Sequence, residues 1–169
     1  MNLNNKLIVL KNKDTLKFDD FYFKCSLGKR GRSFKKIEGD NKTPKGLFHL
    51  GDLFYRDDRS KKPLTKLNLK KIEKHMGWCD DPNNKKNYNK LINTKKKIKC
   101  EKLYRVDSKY DYLIPIKYNT NSVKIGKGSA IFIHITQNYQ KTAGCIALKK
   151  KDFLILVKLI NKETKIYIQ

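Results

Sequence analysis

Apolar and polar positions alternate with a period of two along much of this chain, the signature of half-buried strands. Lys6 to Lys11 and Asp14 to Phe18 read as two strands, with Asn12-Lys13 as a candidate hairpin turn. Phe21, Phe23, Cys25 and Leu27 fall on one face of a third. Leu47-Phe48-His49-Leu50 reads as a strand after the turn Lys42-Thr43-Pro44-Lys45-Gly46, and its His49 as structural rather than catalytic. Tyr112 to Tyr118 is apolar and β-like, with Pro115 suggesting an edge or a bulge. Ser129 to Ile135 is a short continuous apolar run, as a buried strand would be, and Lys165 to Ile168 a last strand. One segment has the helical period. Phe153, Leu156, Val157 and Ile160 follow i, i+3, i+4, i+7, with Asp152 as the candidate cap.

Residues 63 to 103 fit neither period. They hold Pro63, Pro82, many Lys and Asn, and the island Met76-Gly77-Trp78-Cys79-Asp80-Asp81 with the single tryptophan. The segment is expected to be an ordered excursion over one end of the sheet, a lid or insertion, or else a satellite core plugged by Trp78. No repeat or linker divides the chain. The expectation is one mainly β domain over residues 1–169, with one clear helix and a Lys-rich excursion.

The chain has 169 residues and a net charge of +24. Five of its basic residues are Arg and 35 are Lys. Such a surface is either simply solvated or attracts an anionic polymer, weakly and without sequence preference. Specific nucleic-acid readers favour Arg for bidentate contacts to bases, so specific nucleic-acid binding is not expected. No run is long enough for a transmembrane helix, and Met1 to Leu10 lacks the form of a signal peptide. A leader outside this sequence, another export route and a cytoplasmic location all stay open.

Cys25, Cys79, Cys100 and Cys145 form no Cys-x-x-Cys pair, so no metal site is expected. Cys145 follows Gly144 where a polar loop turns apolar again, and His134 ends the preceding strand eleven positions earlier. The thiolate is the nucleophilic form of cysteine, and a nearby imidazole can take its proton and later return one to a leaving amine. Lys141, Lys149 and Lys150 would add a positive field favouring the thiolate. The pair alone equally describes a hydrogen-bonded strand histidine and a small buried thiol.

The stretch His134…Thr142-Ala143-Gly144-Cys145-Ile146 resembles the signature of the L,D-transpeptidase family, the YkuD-type catalytic domain. That pattern is a histidine at a strand end, a gap, then Ser/Thr-His-Gly-Cys, a hydrophobic residue and often Arg. Ala143 and Ala147 depart from it, and the gap is shorter than usual. Further segments resemble a branch with Ala-Gly-Cys or Glu-Gly-Cys at this place. They are Glu38-Gly39-Asp40 with Thr43-Pro44-Lys45-Gly46, Gly77-Trp78-Cys79-Asp80-Asp81-Pro82, Tyr110-Asp111 and Gly128 to Phe132.

The resemblance implies a curved β-sandwich and acyl transfer on peptidoglycan stem peptides in the periplasm or cell envelope. Cys145 would be the nucleophile and His134 the base and acid, with the Ile135 carbonyl holding the imidazole. Gly144 and Cys145 N–H groups would face the oxyanion, supported by Thr142. Terminal D-alanine would leave, and an amine or water would resolve the thioester, without any cofactor. Arg56, Trp78 and Asn119 are the candidate substrate contacts, Arg56 because a guanidinium grips a carboxylate at two points; Arg59 shares that reading. A different transfer on an envelope polymer, and a non-catalytic basic module binding an anionic polymer, are the competing expectations.

Overall fold

A computed structural model describes residues 5–95 and 97–169. The expected hairpin forms as β1 (Lys6–Val9) and β2 (Thr15–Phe18), paired antiparallel. Asn12, at φ 57°, turns the chain between them in the left-handed region that asparagine tolerates better than most residues. β3 (Phe21–Ser26) extends the meander, burying Phe23 and Cys25 while Phe21 stays exposed. The two-residue strands β4 (Arg32–Ser33) and β5 (Thr43–Pro44) pair parallel and close the loop between them, and β6 (Gly46–His49) follows as an edge strand.

β7 (Leu53–Tyr55) and β8 (Leu69–Lys71) lie side by side in parallel. β9 (Met76–Trp78), β10 (Leu91–Asn93) and β11 (Glu101–Lys102) make a separate three-stranded sheet with β9 in the middle. The excursion is therefore regular, in strands of two or three residues that are too short to show alternation. β12 (Tyr112–Pro115), β13 (Phe132–Thr136), β14 (Ile146–Lys149), α1 (Lys150–Leu159) and β15 (Lys165–Ile168) complete the chain.

Ten strands form one mainly β, curled sheet in the order β6-β15-β1-β2-β3-β14-β13-β12-β7-β8. β12 is an inner strand, and its Pro115 stands at the end, past the pairing with β7, where a missing N–H breaks no ladder. The helix begins at Lys150 with Lys149 at its cap, so Asp152 lies in the first turn, where a carboxylate still opposes the positive end of the helix dipole.

The two faces of β13 and β14 bury different things. Ile133, Ile135, Ile146 and Leu148 enter the main core with Phe153, Leu156 and Val157 of α1. Phe132 and Cys145 enter a second apolar cluster with Leu103, Tyr110 and Leu113. A period of two sends alternate residues to opposite sides, so the helix face fixes the register and the other face carries the chemistry.

Candidate active site

β13 and β14 run parallel with Ile133 opposite Ile146 and His134 opposite Ala147. This register puts Cys145 one step before Ile146 and diagonally across from His134, on the same face. Both residues are buried, and both line one cavity of about 270 Å³.

The imidazole is held in one orientation. His134 Nδ1 lies 2.9 Å from the Ile135 carbonyl oxygen. A carbonyl can only accept, so Nδ1 carries the proton in the neutral ring and Nε2 keeps its lone pair. Tyr110 crosses the ring edge-on at 5.3 Å and crosses Phe132 at 5.7 Å. A 3-10 turn (Ser108–Tyr110), capped by the Asp107 side chain accepting from Lys109 N–H, carries that tyrosine. Burial pushes His134 down to about 4, and the positive Lys109 and Arg105 push the same way.

The thiol is held as well. Cys145 Sγ accepts the Phe132 N–H at 3.3 Å and donates to the Ala130 carbonyl at 3.4 Å. Burial pushes this thiol up to about 12. The resting pair is therefore a neutral thiol and a neutral imidazole on one cavity, and the lysines expected to favour the thiolate have other partners. Lys149 lies over the Tyr139 ring, Lys150 over Tyr112, and Lys141 pairs with Asp14. The cation that favours the thiolate is buried Lys36, bonded to Asp40 at 2.5 Å.

Ala130 has φ 51°, a conformation that costs an alanine energy. Its N–H donates to Asn89 Oδ1 at 3.1 Å, which holds the turn and stops β13 from starting at Ser129. Gly144, at φ 147°, is required: a Cβ there would lie 2.9 Å from the Lys42 carbonyl oxygen. Thr142 Oγ1 accepts the Gly144 N–H at 3.1 Å and donates to the Cys145 carbonyl at 2.6 Å. That contact engages the Gly144 N–H expected to face the oxyanion. The Cys145 N–H has no acceptor among the described residues.

Three expected substrate contacts lie elsewhere. Arg56 is buried, with Nε and Nη2 each 2.7 Å from Asp58 oxygens and Nη1 2.6 Å from the Arg105 carbonyl. Its neighbour Arg59 is likewise committed to Asp111, Val106 and Asp107. Trp78 packs edge-on against Phe132 at 5.4 Å and donates to Asn89 at 2.9 Å. It lines neither cavity that reaches Cys145. Asn119 spends its side chain on the Lys124 and Gly128 backbone. In their place the structure brings Arg105, Lys109 and Tyr110 to His134, and Lys36, Glu38 and Asp80 to Cys145. Glu38, Asp80 and Tyr110 stood within segments of the resemblance; Arg105 and Lys109 had no sequence signal.

Across residues 1–168 the chain matches the YkuD family, the L,D-transpeptidase catalytic domain. It belongs to that family, whose members modify peptidoglycan. Among solved structures it is similar to the helical cell shape determining protein Pgp2 from Campylobacter jejuni, with 20% identity and a TM-score of 0.51. That likeness covers 97% of this chain and 46% of Pgp2. It is also similar to Bd1075 from Bdellovibrio bacteriovorus, with 14% identity and a TM-score of 0.52, covering 98% of this chain and 48% of that one. The chain thus spans about half the length of these neighbours. No curated protein matches it. Among the described residues, no helix is long and apolar enough to cross a membrane.

Proposed function

We propose that this domain is a cysteine acyltransferase acting on peptidoglycan stem peptides in the cell envelope. The observation that carries this is the Ile135 carbonyl on His134 Nδ1, which leaves Nε2 as acceptor on the face and in the cavity shared with Cys145. Cys145 Sγ attacks the carbonyl before the terminal D-alanine and gives its proton to Nε2. The C–N bond then breaks, Nε2 returns the proton to the departing amine, and a thioester remains. An incoming amine, or water, gives a proton to Nε2 and adds to the thioester, and Sγ leaves and recovers that proton. The Cys145 N–H is the backbone donor available to the oxyanion. The thiol forms and releases the acyl bond, the imidazole relays the protons, and the amide faces the oxyanion.

Substrate binding excludes the remaining water and supplies the drive for a proton transfer that the neutral resting pair does not make. The lysine surface adds a weak attraction to anionic envelope polymers, which salt should screen. The test is D-alanine release from a stem tetrapeptide, with products identified by mass. Release that requires both Cys145 and His134 supports the reading, and a cross-linked product or a tripeptide identifies amine or water as the acceptor. Undiminished release by Cys145→Ala sinks it.

A further inference from the structure

The antiparallel pairing of β9 with β11 brings two cysteines face to face. Trp78 stands opposite Glu101 and Gly77 opposite Lys102, so one further step in the same register sets Cys79 opposite Cys100. The hydrogen bonds fix what kind of pair this is. Leu103 N–H donates to the Met76 carbonyl at 3.0 Å, across β11 and β9. Both backbone polar groups of Cys79 turn the other way: its N–H donates to the Lys90 carbonyl at 2.9 Å, and its carbonyl accepts the Asn89 N–H at 2.8 Å. Ladder bonds alternate along an antiparallel pair, so Cys79 and Cys100 hold a non-hydrogen-bonded position. At such a position Cα atoms stand about 4.5 Å apart and side chains approach most closely. A disulfide takes Cα separations of about 4.4–6.8 Å, which includes that value.

The side chains agree with the register. Gly77 and Cys79 are two apart on β9 and share a face. A Cβ on Gly77 would lie 2.7 Å from Cys100 Sγ, so the missing side chain leaves the room in which that sulfur sits. Rotation about the Cα–Cβ bond of Cys100 carries the sulfur from Gly77 toward Cys79. Both are free thiols, Cys79 buried and Cys100 half-buried. Burial pushes the Cys100 thiol up, and the Asp80 carboxylate and Cys79 push the same way. A disulfide has no proton to lose, so linking the pair ends that conflict. The other two cysteines are placed elsewhere. Cys25, opposite Leu148, belongs to the main core, and Cys145 Sγ is engaged by the Phe132 N–H and the Ala130 carbonyl.

We infer that Cys79 and Cys100 are a disulfide site, closed in an oxidising compartment by exchange with a soluble disulfide. Cys100, the more exposed, loses its proton to solvent and attacks the soluble disulfide. A mixed disulfide forms on Cys100 and one thiolate leaves. Cys79 then loses its proton and attacks Cys100 Sγ, the protein S–S bond forms, and a second thiolate leaves. The two departing thiolates take up the two protons. Two protein thiols are thereby oxidised and one soluble disulfide is reduced to two thiols. Asp80 follows Cys79 and Glu101 follows Cys100, and both line the cavity of about 210 Å³ at Cys145. The link therefore ties β9 to β11 at the wall of the candidate site and leaves Cys145 reduced. It does not depend on the proposed acyl transfer.

The test uses the folded full-length protein and oxidised glutathione at mildly alkaline pH. The treated protein is then denatured in an alkylating agent, digested without reductant and mapped by mass. One peptide joining Cys79 to Cys100 is expected, lighter than the two reduced peptides by two hydrogens, with Cys25 and Cys145 both alkylated. The link closes the loop that carries β10 and so restricts the unfolded chain. The linked protein should melt higher than the reduced one by on the order of 10 °C, and a reductant should reverse the shift. Cys100→Ala, at a half-buried position, should show neither the link nor the shift under the same treatment. Four results would each overturn the inference. They are a link through Cys25 or Cys145, glutathione retained on Cys100 without transfer to Cys79, no reaction of the folded protein, and a linked protein that melts no higher than the reduced one. The wild-type map alone decides the pairing, so the inference stays open to refutation even if Cys100→Ala fails to fold.

Discussion

Asn89 accepts the Ala130 N–H, and the Ala130 carbonyl in turn receives the Cys145 thiol. Two hydrogen bonds thus connect the segment between β9 and β10 to the candidate nucleophile. Asn89 is buried and its amide is fully used, accepting also from Trp78 and donating to the Tyr118 and Asn119 carbonyls at 3.0 and 2.7 Å. A buried amide with every valence used is costly to replace, since each abandoned partner keeps its desolvation penalty.

Asn89→Ala should therefore lower stability by about 2–4 kcal/mol, as two or more buried polar partners are orphaned. It should also lower kcat by releasing the strained Ala130 turn that holds the thiol. Denaturant unfolding and D-alanine release measured on the same preparation check both. A stable variant with full kcat would show that the Asn89–Ala130 bond does not position Cys145.

Trp78 acts one contact further out. Its ring packs on Phe132 and its N–H donates to Asn89. Deleting the ring should cost about 3 kcal/mol, near the lower end for aromatic deletions because the residue is only partly buried. Trp78→Phe should keep most of the packing and most of kcat. A large fall in kcat with little change in melting temperature would favour the lid over the satellite core, the two readings the sequence left open.

The strands that position the site were legible as short apolar runs, Ser129 to Ile135 and the apolar residues that follow Cys145. Ile133, Ile135, Ile146 and Leu148 mark one face, and that places His134 and Cys145 on the other. The Ile135 carbonyl follows from the resemblance and is found at His134 Nδ1. Of the opposite wall, only Asp80 and Tyr110 stood in segments of the resemblance, with no role assigned to either. Lys109 and Tyr110 come from a three-residue turn, and Glu101 and Asp80 from an excursion whose strands carry no period. Arg56 and Arg105 look alike in sequence; what separates them is that Asp58 takes the first and that the Asp107 turn aims the second at His134. Local charge in a sequence gives no account of which partner folding supplies.

Arg56→Lys tests that distinction. A lysine cannot make the two-point contact to Asp58 and also reach the Arg105 carbonyl, so a buried acceptor loses its donor. The expected loss is about 1–2 kcal/mol in unfolding free energy, with KM for the tetrapeptide unchanged. A raised KM at unchanged stability would return Arg56 to the substrate.

Thiol labelling should follow the burial of Cys145. With its pKa pushed up to about 12, iodoacetamide should modify it slowly at neutral pH and increasingly fast above pH 9. Cys100, half-buried, should label faster at neutral pH than Cys145 in the free protein. Rapid labelling of Cys145 at pH 7 that stays flat with rising pH would mean a preformed thiolate and contradict the neutral resting pair.

The acid limb of stability should carry the imprint of His134. Its pKa is pushed from 6.5 down to about 4, mainly by burial. Between those values the unfolded chain binds a proton that the folded protein refuses. Stability therefore rises with pH across this window: it is fully present above about 6.5 and is lost progressively as pH falls toward 4. The loss from this one group is on the order of 3 kcal/mol, from a pKa difference of two to three pH units at about 1.4 kcal/mol each. His134→Gln removes the titrating group, so the quantity to compare is the slope of unfolding free energy between pH 6.5 and 4, not its absolute value. The variant should show a shallower slope than the wild type by about one proton's worth. The same variant should abolish D-alanine release at every pH, because a glutamine amide can neither take the thiol proton nor return it. Parallel slopes would mean that His134 titrates normally in the folded protein, and the imidazole would then be open to solvent rather than enclosed between Tyr110 and β14.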